Sequence, residues 1–87
     1  MDEPIFQTKY LASKVRVYED RVEWRMLLKR DVIPLNQIAS VEVSMPMYTK
    51  VTIETTGGKR FDIPVPMSKK KALQEAIVKA QQNLKKS

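Results

Sequence analysis

The chain has 87 residues, of which 43% are hydrophobic and 30% are charged, and its formal net charge is +6. This composition is typical of one small globular domain, and a chain of this size buries roughly 60–65% of the surface that its unfolded form exposes. The excess of 16 Lys and Arg over 10 Asp and Glu residues favours either an anionic partner or simple solubility.

The sequence lacks the side chains that common catalytic and metal sites require. It contains no cysteine and no histidine, which excludes disulfides, thiolate or imidazole zinc sites, and Ser-His-Asp or Cys-His arrangements. Most of the carboxylates fall at predicted turns or at polar strand positions. We therefore expect a noncatalytic protein that works by binding and uses no cofactor and no metal.

Hydropathy predicts no membrane span. The longest apolar runs, such as residues 26–28 and 32–35, are far shorter than the ~20 residues that cross a bilayer. The N-terminal sequence MDEPIFQ has no apolar signal region. We expect a cytoplasmic protein, peripheral to the membrane if its basic residues bind lipid.

Alternating apolar and polar residues predict short antiparallel strands between positions 15 and 65. In the segment VRVYED, Val15 and Val17 share one face, and Tyr18 points to the other. In the next segment, RVEWRMLL, one face carries Val22, Trp24, Met26 and Leu28. The acidic pair 19–20 supplies the turn between these strands. The preceding IFQTKYLA alternates less regularly and is a candidate for one further strand.

The middle of the chain predicts further strands and two turns. Residues 31–34 form a short strand, and residues 35–38 form a turn or a single helical turn. Alternation then resumes at Val41 and runs to Met47, with Pro46 marking an edge strand or a bulge. The Gly57-Gly58 pair predicts a hairpin between two further strands.

After Pro66 the apolar spacing changes from two residues to three and four, which predicts an amphipathic helix with Ser68 as its N-cap. Its apolar stripe comprises Leu73, Ala76, Ile77, Ala80 and Leu84. The predicted fold is mainly β, a single domain over residues 1–87. Six or seven strands, at about residues 5–65, form a bent antiparallel sheet or open barrel that a helix at about residues 68–85 caps.

Four segments in this order resemble bacterial pleckstrin-homology-like (PH-like) domains: VRVYEDRVEW, DVIPLNQIASVEV, VTIETTGGKRFDIPV and the closing helix. The resemblance covers nearly the whole chain from Lys14 onward. It implies a bent sheet or open barrel closed by the C-terminal helix. It implies no single ligand, because such domains bind lipid headgroups, peptides or proteins at different places.

Two basic groups are candidate sites for lipid headgroups or phosphates. The first group surrounds the loop that leads into the second strand, where phosphoinositide-binding PH domains look similar, and comprises Lys9, Lys14 and Arg16. The second group lies in the first turn of the helix, where the dipole disfavours cations, and comprises Lys69, Lys70 and Lys71. Charged side chains at either place bind anionic oxygens or are simply solvated and screened by salt.

An apolar group is the candidate site for a protein partner, and it comprises Leu27, Met45, Met47 and Tyr48. Leu27 lies on the polar face of its predicted strand, and the other residues flank Pro46. An edge strand with exposed apolar side chains favours pairing with a partner chain or with a second copy. The alternative interpretation is that the two methionines fill the core.

These features favour a noncatalytic interaction module of PH-like fold that binds a protein partner and self-associates through an edge strand. The alternative is peripheral binding to anionic lipid headgroups or phosphates through the basic residues, each of which contributes roughly 1 kcal/mol near an anionic surface. Nucleic acid is a less favoured partner, because no RNP-type aromatic motif and no helix-turn-helix spacing is visible.

Overall fold

The computed structural model describes residues 3–43 and 49–86. These residues form two antiparallel sheets and one C-terminal α-helix, which confirms the predicted fold class. The first sheet has the order β1-β2-β3-β4 and comprises β1 (Phe6–Tyr10), β2 (Ser13–Val17), β3 (Arg21–Met26) and β4 (Lys29–Pro34). The second has the order β5-β6-β7 and comprises β5 (Ile38–Val43), β6 (Lys50–Thr55) and β7 (Arg60–Pro64). Short 3₁₀ turns at Leu35–Gln37 and Met67–Lys69 precede β5 and the helix α1 (Lys70–Lys86).

One hydrophobic core collects the inner faces of both sheets and the apolar stripe of α1. The alternation in β2 is strict, since Ser13, Val15 and Val17 are buried and the residues between them are not. The buried cluster comprises Val15, Val17, Val22, Ile33, Leu35, Ile38, Val51, Ile53, Ile63, Val65, Leu73, Ile77 and Ala80. Most predicted inward positions are therefore confirmed, and burial of these side chains is the main term that stabilises the fold.

A polar link joins the two sheets next to this core. The Trp24 indole Nε1–H donates a hydrogen bond to Ser13 Oγ at 2.9 Å, and Ser13 Oγ–H donates to the Pro64 carbonyl at 3.1 Å. The Trp24 ring also meets Phe61 of β7 edge to face, with centroids 6.3 Å apart. Trp24 is therefore a structural residue that holds the first sheet against the second.

Two glutamine side chains fix α1 to β5 and to the 3₁₀ turn that precedes it. Gln74 Nε2 donates to the Val41 carbonyl at 2.9 Å. Gln81 Nε2 donates to the carbonyls of Leu35 and Ile38 at 3.2 and 3.1 Å. Carbonyl groups of β5 and of the 3₁₀ turn thus accept hydrogen bonds from the helix, which helps to satisfy polar atoms close to the core.

The predicted strand RVEWRMLL is too long. β3 ends at Met26, which pairs with Lys29, so Leu27 and Leu28 form the tip of the β3–β4 hairpin. Leu28 is fully exposed, and Leu27 takes a positive φ of 51°. The prediction is wrong because the β3–β4 register, with Val22 opposite Ile33 in the core, sets the turn, and no glycine or asparagine marks it.

One further local prediction is wrong, and another needs refinement. Tyr18, expected on the outer face, is only 6% exposed, because the Arg21 guanidinium lies over its ring at 4.1 Å from the centroid. Ser68 is not the N-cap of α1, since it lies inside the 3₁₀ turn that precedes Lys70. A single serine therefore indicates the start of a helix only to within a turn.

We expect Ser13→Ala to destabilise the protein by about 1–3 kcal/mol, because the substitution removes the acceptor of the Trp24 indole N–H. Urea denaturation measures the free energy of unfolding. Ser68→Ala is the matched control, with an expected change within about 0.5 kcal/mol because Ser68 is exposed. Equal unfolding midpoints for the two variants would show that the link between the sheets adds no stability.

Candidate anion-binding face

The register of the first sheet places four cations side by side on its outer surface. Lys9 pairs with Lys14, Lys14 with Arg25, and Arg25 with Arg30. Directly opposed residues point to the same side of a sheet, and neighbouring strands are about 4.8 Å apart, so these residues cross all four strands over about 15 Å. We call Lys9, Lys14, Arg25 and Arg30 the cationic row.

A second row lies beside the cationic row on the same surface. It runs through Gln7, Arg16, Glu23 and Val32, and Arg21 follows at the far end of β3. The six outward cations of the sheet form what we call the cationic face, which comprises Lys9, Lys14, Arg16, Arg21, Arg25 and Arg30. Among the outward residues of β1–β4, all of which the structure describes, Glu23 supplies the one carboxylate.

Glu23 bridges two arginines of the cationic face. Its Oε2 accepts from Arg21 Nε at 2.8 Å, and its Oε1 accepts from Arg30 Nη2 at 3.2 Å. The hydrogen bond from Arg21, with the nearby charges of Arg30 and Arg21, lowers the pKa of Glu23 below its ordinary value of 4.5. Glu23 therefore stays ionised at neutral pH and orients two guanidinium groups without cancelling the charge of the surface.

A hollow lies within the cationic face. Its volume is about 210 Å³, and it is lined by Lys14, Arg16, Glu23, Arg25 and Arg30. The Nε of Arg16 is buried and has no hydrogen-bond acceptor among the described residues. Lysine and arginine side chains line the hollow together, and such donors suit anionic oxygens, because arginine can contact a phosphate through two N–H groups at once.

The cationic row opposes local stability. Like charges directly opposite each other on neighbouring strands destabilise a sheet, and the row contains three such pairs, Lys9 with Lys14, Lys14 with Arg25, and Arg25 with Arg30. Bound anions would relieve this repulsion. The outer surface of the first sheet is therefore the strongest candidate site among the described residues.

The predicted first basic group lies within this site, and the second does not. Lys9 and Lys14 belong to the cationic row, and Arg16 lines the hollow. In the second group, Lys69 and Lys71 are exposed, but Lys70 is only 5% exposed. The three lysines of this run therefore do not present one common surface.

Of the predicted partner-binding edge, the described residues include only Leu27. Leu27 is exposed as expected, but it lies at a hairpin tip and not within a strand. Met45, Met47 and Tyr48 lie outside the described residues.

Sequence reasoning missed Arg21, Arg25 and Arg30 as members of the site. The alternation in RVEWR already places Arg21 and Arg25 on the face opposite Val22 and Trp24. Their assembly with Lys14 follows only from the β2–β3 register. Arg30 joins the face because the next turn falls at residues 27–28, which no turn-forming residue marks.

Comparisons with known proteins add no functional assignment. No protein-family model matches the chain, and neither the curated proteins nor the solved structures contain a significant match. Within residues 3–43 and 49–86, no three or more acidic side chains cluster in a way that would hold a metal ion. The helix in the described part of the chain is not long and apolar enough to cross a membrane.

The lowered pKa of Glu23 predicts a pH-dependent contribution to stability. Because the folded state favours the ionised carboxylate, this contribution is present above the ordinary pKa of 4.5 and is lost as the pH falls through the lower folded-state pKa. We expect the free energy of unfolding to fall more steeply between pH ~6 and ~3 in the wild type than in Glu23→Gln. Urea denaturation across this range measures the difference. The control is Glu42→Gln, at an exposed carboxylate of β5, and parallel profiles for wild type and Glu23→Gln would contradict the prediction.

Proposed function

We propose that this chain is a noncatalytic binding module whose cationic face binds the phosphate groups of an anionic partner, either lipid headgroups or free phosphates. The observation that supports this proposal is the cationic row, in which Lys9, Lys14, Arg25 and Arg30 stand in register across four strands. The fold keeps these charges together although they repel each other. Phosphate groups bound between the cations would reduce this repulsion, which favours binding.

The geometry of the row suits several phosphates in one plane. Adjacent residues of the row are about 5 Å apart along the backbone, so their long side chains can reach the oxygens of one phosphate, and the row extends about 15 Å. The central hollow has a volume of about 210 Å³, below the ~300–1,000 Å³ of typical small-molecule pockets. A surface of this form fits an array of phosphates better than it fits one small enclosed ligand.

The cationic face is less suited to nucleic acid. Single-stranded nucleic acid is bound by exposed aromatic rings on which bases stack. Among the outward residues of the described strands β1–β4 there is no aromatic side chain, and Tyr18 is covered by Arg21. Lipid headgroups and free phosphates need only the cations.

As part of the same proposal, we place the chain among PH-like domains. Its support is the order of the elements in residues 3–43 and 49–86, seven strands in two sheets followed by one helix that packs on their inner side. A partner-binding edge strand remains the earlier prediction, without a further observation in its favour within the described residues.

We expect the wild type to bind tripolyphosphate at low salt and Lys14→Glu/Arg25→Glu to bind at least about 30-fold more weakly. Each cation near an anionic surface contributes roughly 1 kcal/mol, so the loss of two amounts to about 2 kcal/mol or more. Isothermal titration calorimetry measures the dissociation constants. Low ionic strength is essential, because the screening length is only about 10 Å at 0.1 M salt.

The matched control is Lys79→Glu/Lys85→Glu, which changes the net charge equally but lies on the exposed surface of α1. We expect its affinity to stay within about threefold of the wild type. Equal losses in both double variants would show that net charge, not the cationic face, drives binding. Anionic vesicles and a single-stranded oligonucleotide serve as further ligands, and tightest binding to the oligonucleotide would replace the proposal with nucleic-acid recognition.

Glu23→Gln should affect stability and binding in opposite directions. The substitution removes the one carboxylate from the cationic face, so tripolyphosphate should bind about fivefold more tightly, at roughly 1 kcal/mol per charge. The loss of its ion pairs with Arg21 and Arg30 should lower the free energy of unfolding at neutral pH. Unchanged or weaker binding would contradict the assignment of this face.

A further inference from the structure

Exposed leucines occupy two neighbouring hairpin tips at one end of the first sheet. Leu11 lies in the β1–β2 tip and is 80% exposed, Leu27 in the β3–β4 tip is 74% exposed, and Leu28 beside it is fully exposed. Ser13 pairs with Met26, so the two tips leave the sheet at the same level, about 10 Å apart. We call Leu11, Leu27 and Leu28 the leucine tips.

Nothing within the fold explains leucine at these positions. Leu11 and Leu27 have φ angles of 54° and 51°, in the left-handed region that favours glycine or asparagine over a bulky side chain. Their exposure shows that the core gains almost nothing from them. Local conformation and packing both disfavour leucine there, so its benefit has to come from contact with another surface.

The leucine tips lie next to the cationic row, at a distance that matches the structure of a bilayer. Lys9 precedes Leu11 by two residues and Arg25 precedes Leu27 by two residues, which corresponds to about 7 Å along a strand. Apolar groups of interfacial proteins enter the region between headgroups and acyl chains by about 5–10 Å. When the leucine tips reach the acyl boundary, the cationic row lies at the depth of the lipid phosphates.

Resting on the proposed function, we infer that the partner is an anionic bilayer and that the leucine tips insert into it while the cationic row binds lipid phosphates. Charge complementarity selects this occupant. A second copy of the chain would bring a second cationic row against the first, whereas an anionic bilayer offers phosphates beside apolar chains. Met26 and Lys29 lie at the same end of the sheet. Met26 is also exposed and adds an apolar contact, and Lys29 adds a cationic one.

The first experiment locates the tip relative to the bilayer. The chain contains no cysteine, so Ala12→Cys accepts a single environment-sensitive fluorophore at an exposed tip position while all three leucines stay in place. With vesicles of phosphatidylcholine and phosphatidylglycerol, we expect a blue shift and quenching by lipids that carry nitroxides on their acyl chains. The same label at Lys79→Cys, on α1, should stay in water.

The second experiment separates insertion from phosphate binding. The variant Leu11→Asn/Leu27→Asn places asparagine, which tolerates the left-handed conformation, at both positions. We therefore expect it to remain folded and to bind tripolyphosphate with an affinity within about twofold of the wild type. Its partitioning onto anionic vesicles should fall at least ~10-fold, because two apolar side chains no longer leave water. Leu11→Gly/Leu27→Gly provides the same test if circular dichroism shows that the asparagine variant does not fold.

Each other outcome overturns the inference in a distinguishable way. Wild-type vesicle affinity in the asparagine variant, or a tip fluorophore that stays in water, would end the insertion model but leave phosphate binding intact. No binding of the wild type to either tripolyphosphate or vesicles would end both proposals. A wild-type dimer by light scattering that the leucine substitutions dissociate would assign the tips to a second copy of the chain.

Discussion

The pairing register of the first sheet is the constraint on which the rest of the molecule depends. On the inner side, Val15 lies opposite Trp24 and Val17 opposite Val22, and burial of these residues fixes the register. Because side chains alternate, the same register sets Lys14 opposite Arg25 on the outer side. A shift by one residue would exchange the two faces and bury the cations. The hydrophobic core therefore holds together charges that would otherwise separate.

Positive charge is not distributed evenly over the cationic face. Near the β2–β3 turn, Arg21 forms salt bridges with Asp20 at 2.7 Å and with Glu23 at 2.8 Å. At the opposite end, the cationic row lies beside the leucine tips. Among the residues of this row, Arg30 is the one that forms a described ion pair with Glu23. The sheet thus has a partly neutralised end and an end where cations meet apolar side chains. Such a gradient would favour one orientation of the domain on an anionic surface.

Much of the fold could be predicted from the sequence, because apolar periodicity reports which residues are buried. The change of spacing near residue 68 predicted the helix, and Gly57-Gly58 predicted the β6–β7 hairpin, where Gly58 takes a φ of 89°. The tip at residues 27–28 could not be predicted, because leucine is not a turn-forming residue. The site was predicted only in part, since the loop into the second strand grouped Lys9, Lys14 and Arg16, whereas Arg30 joins them through register alone.

Phosphate binding at the cationic face can be tested directly by titrating the ¹⁵N-labelled wild-type protein with tripolyphosphate and following each residue in amide NMR spectra. The largest shift changes are expected at Lys9, Lys14, Arg25 and Arg30 and at their neighbours in β1–β4. Shift changes concentrated at residues 69–71, or spread evenly over all lysines and arginines, would contradict it.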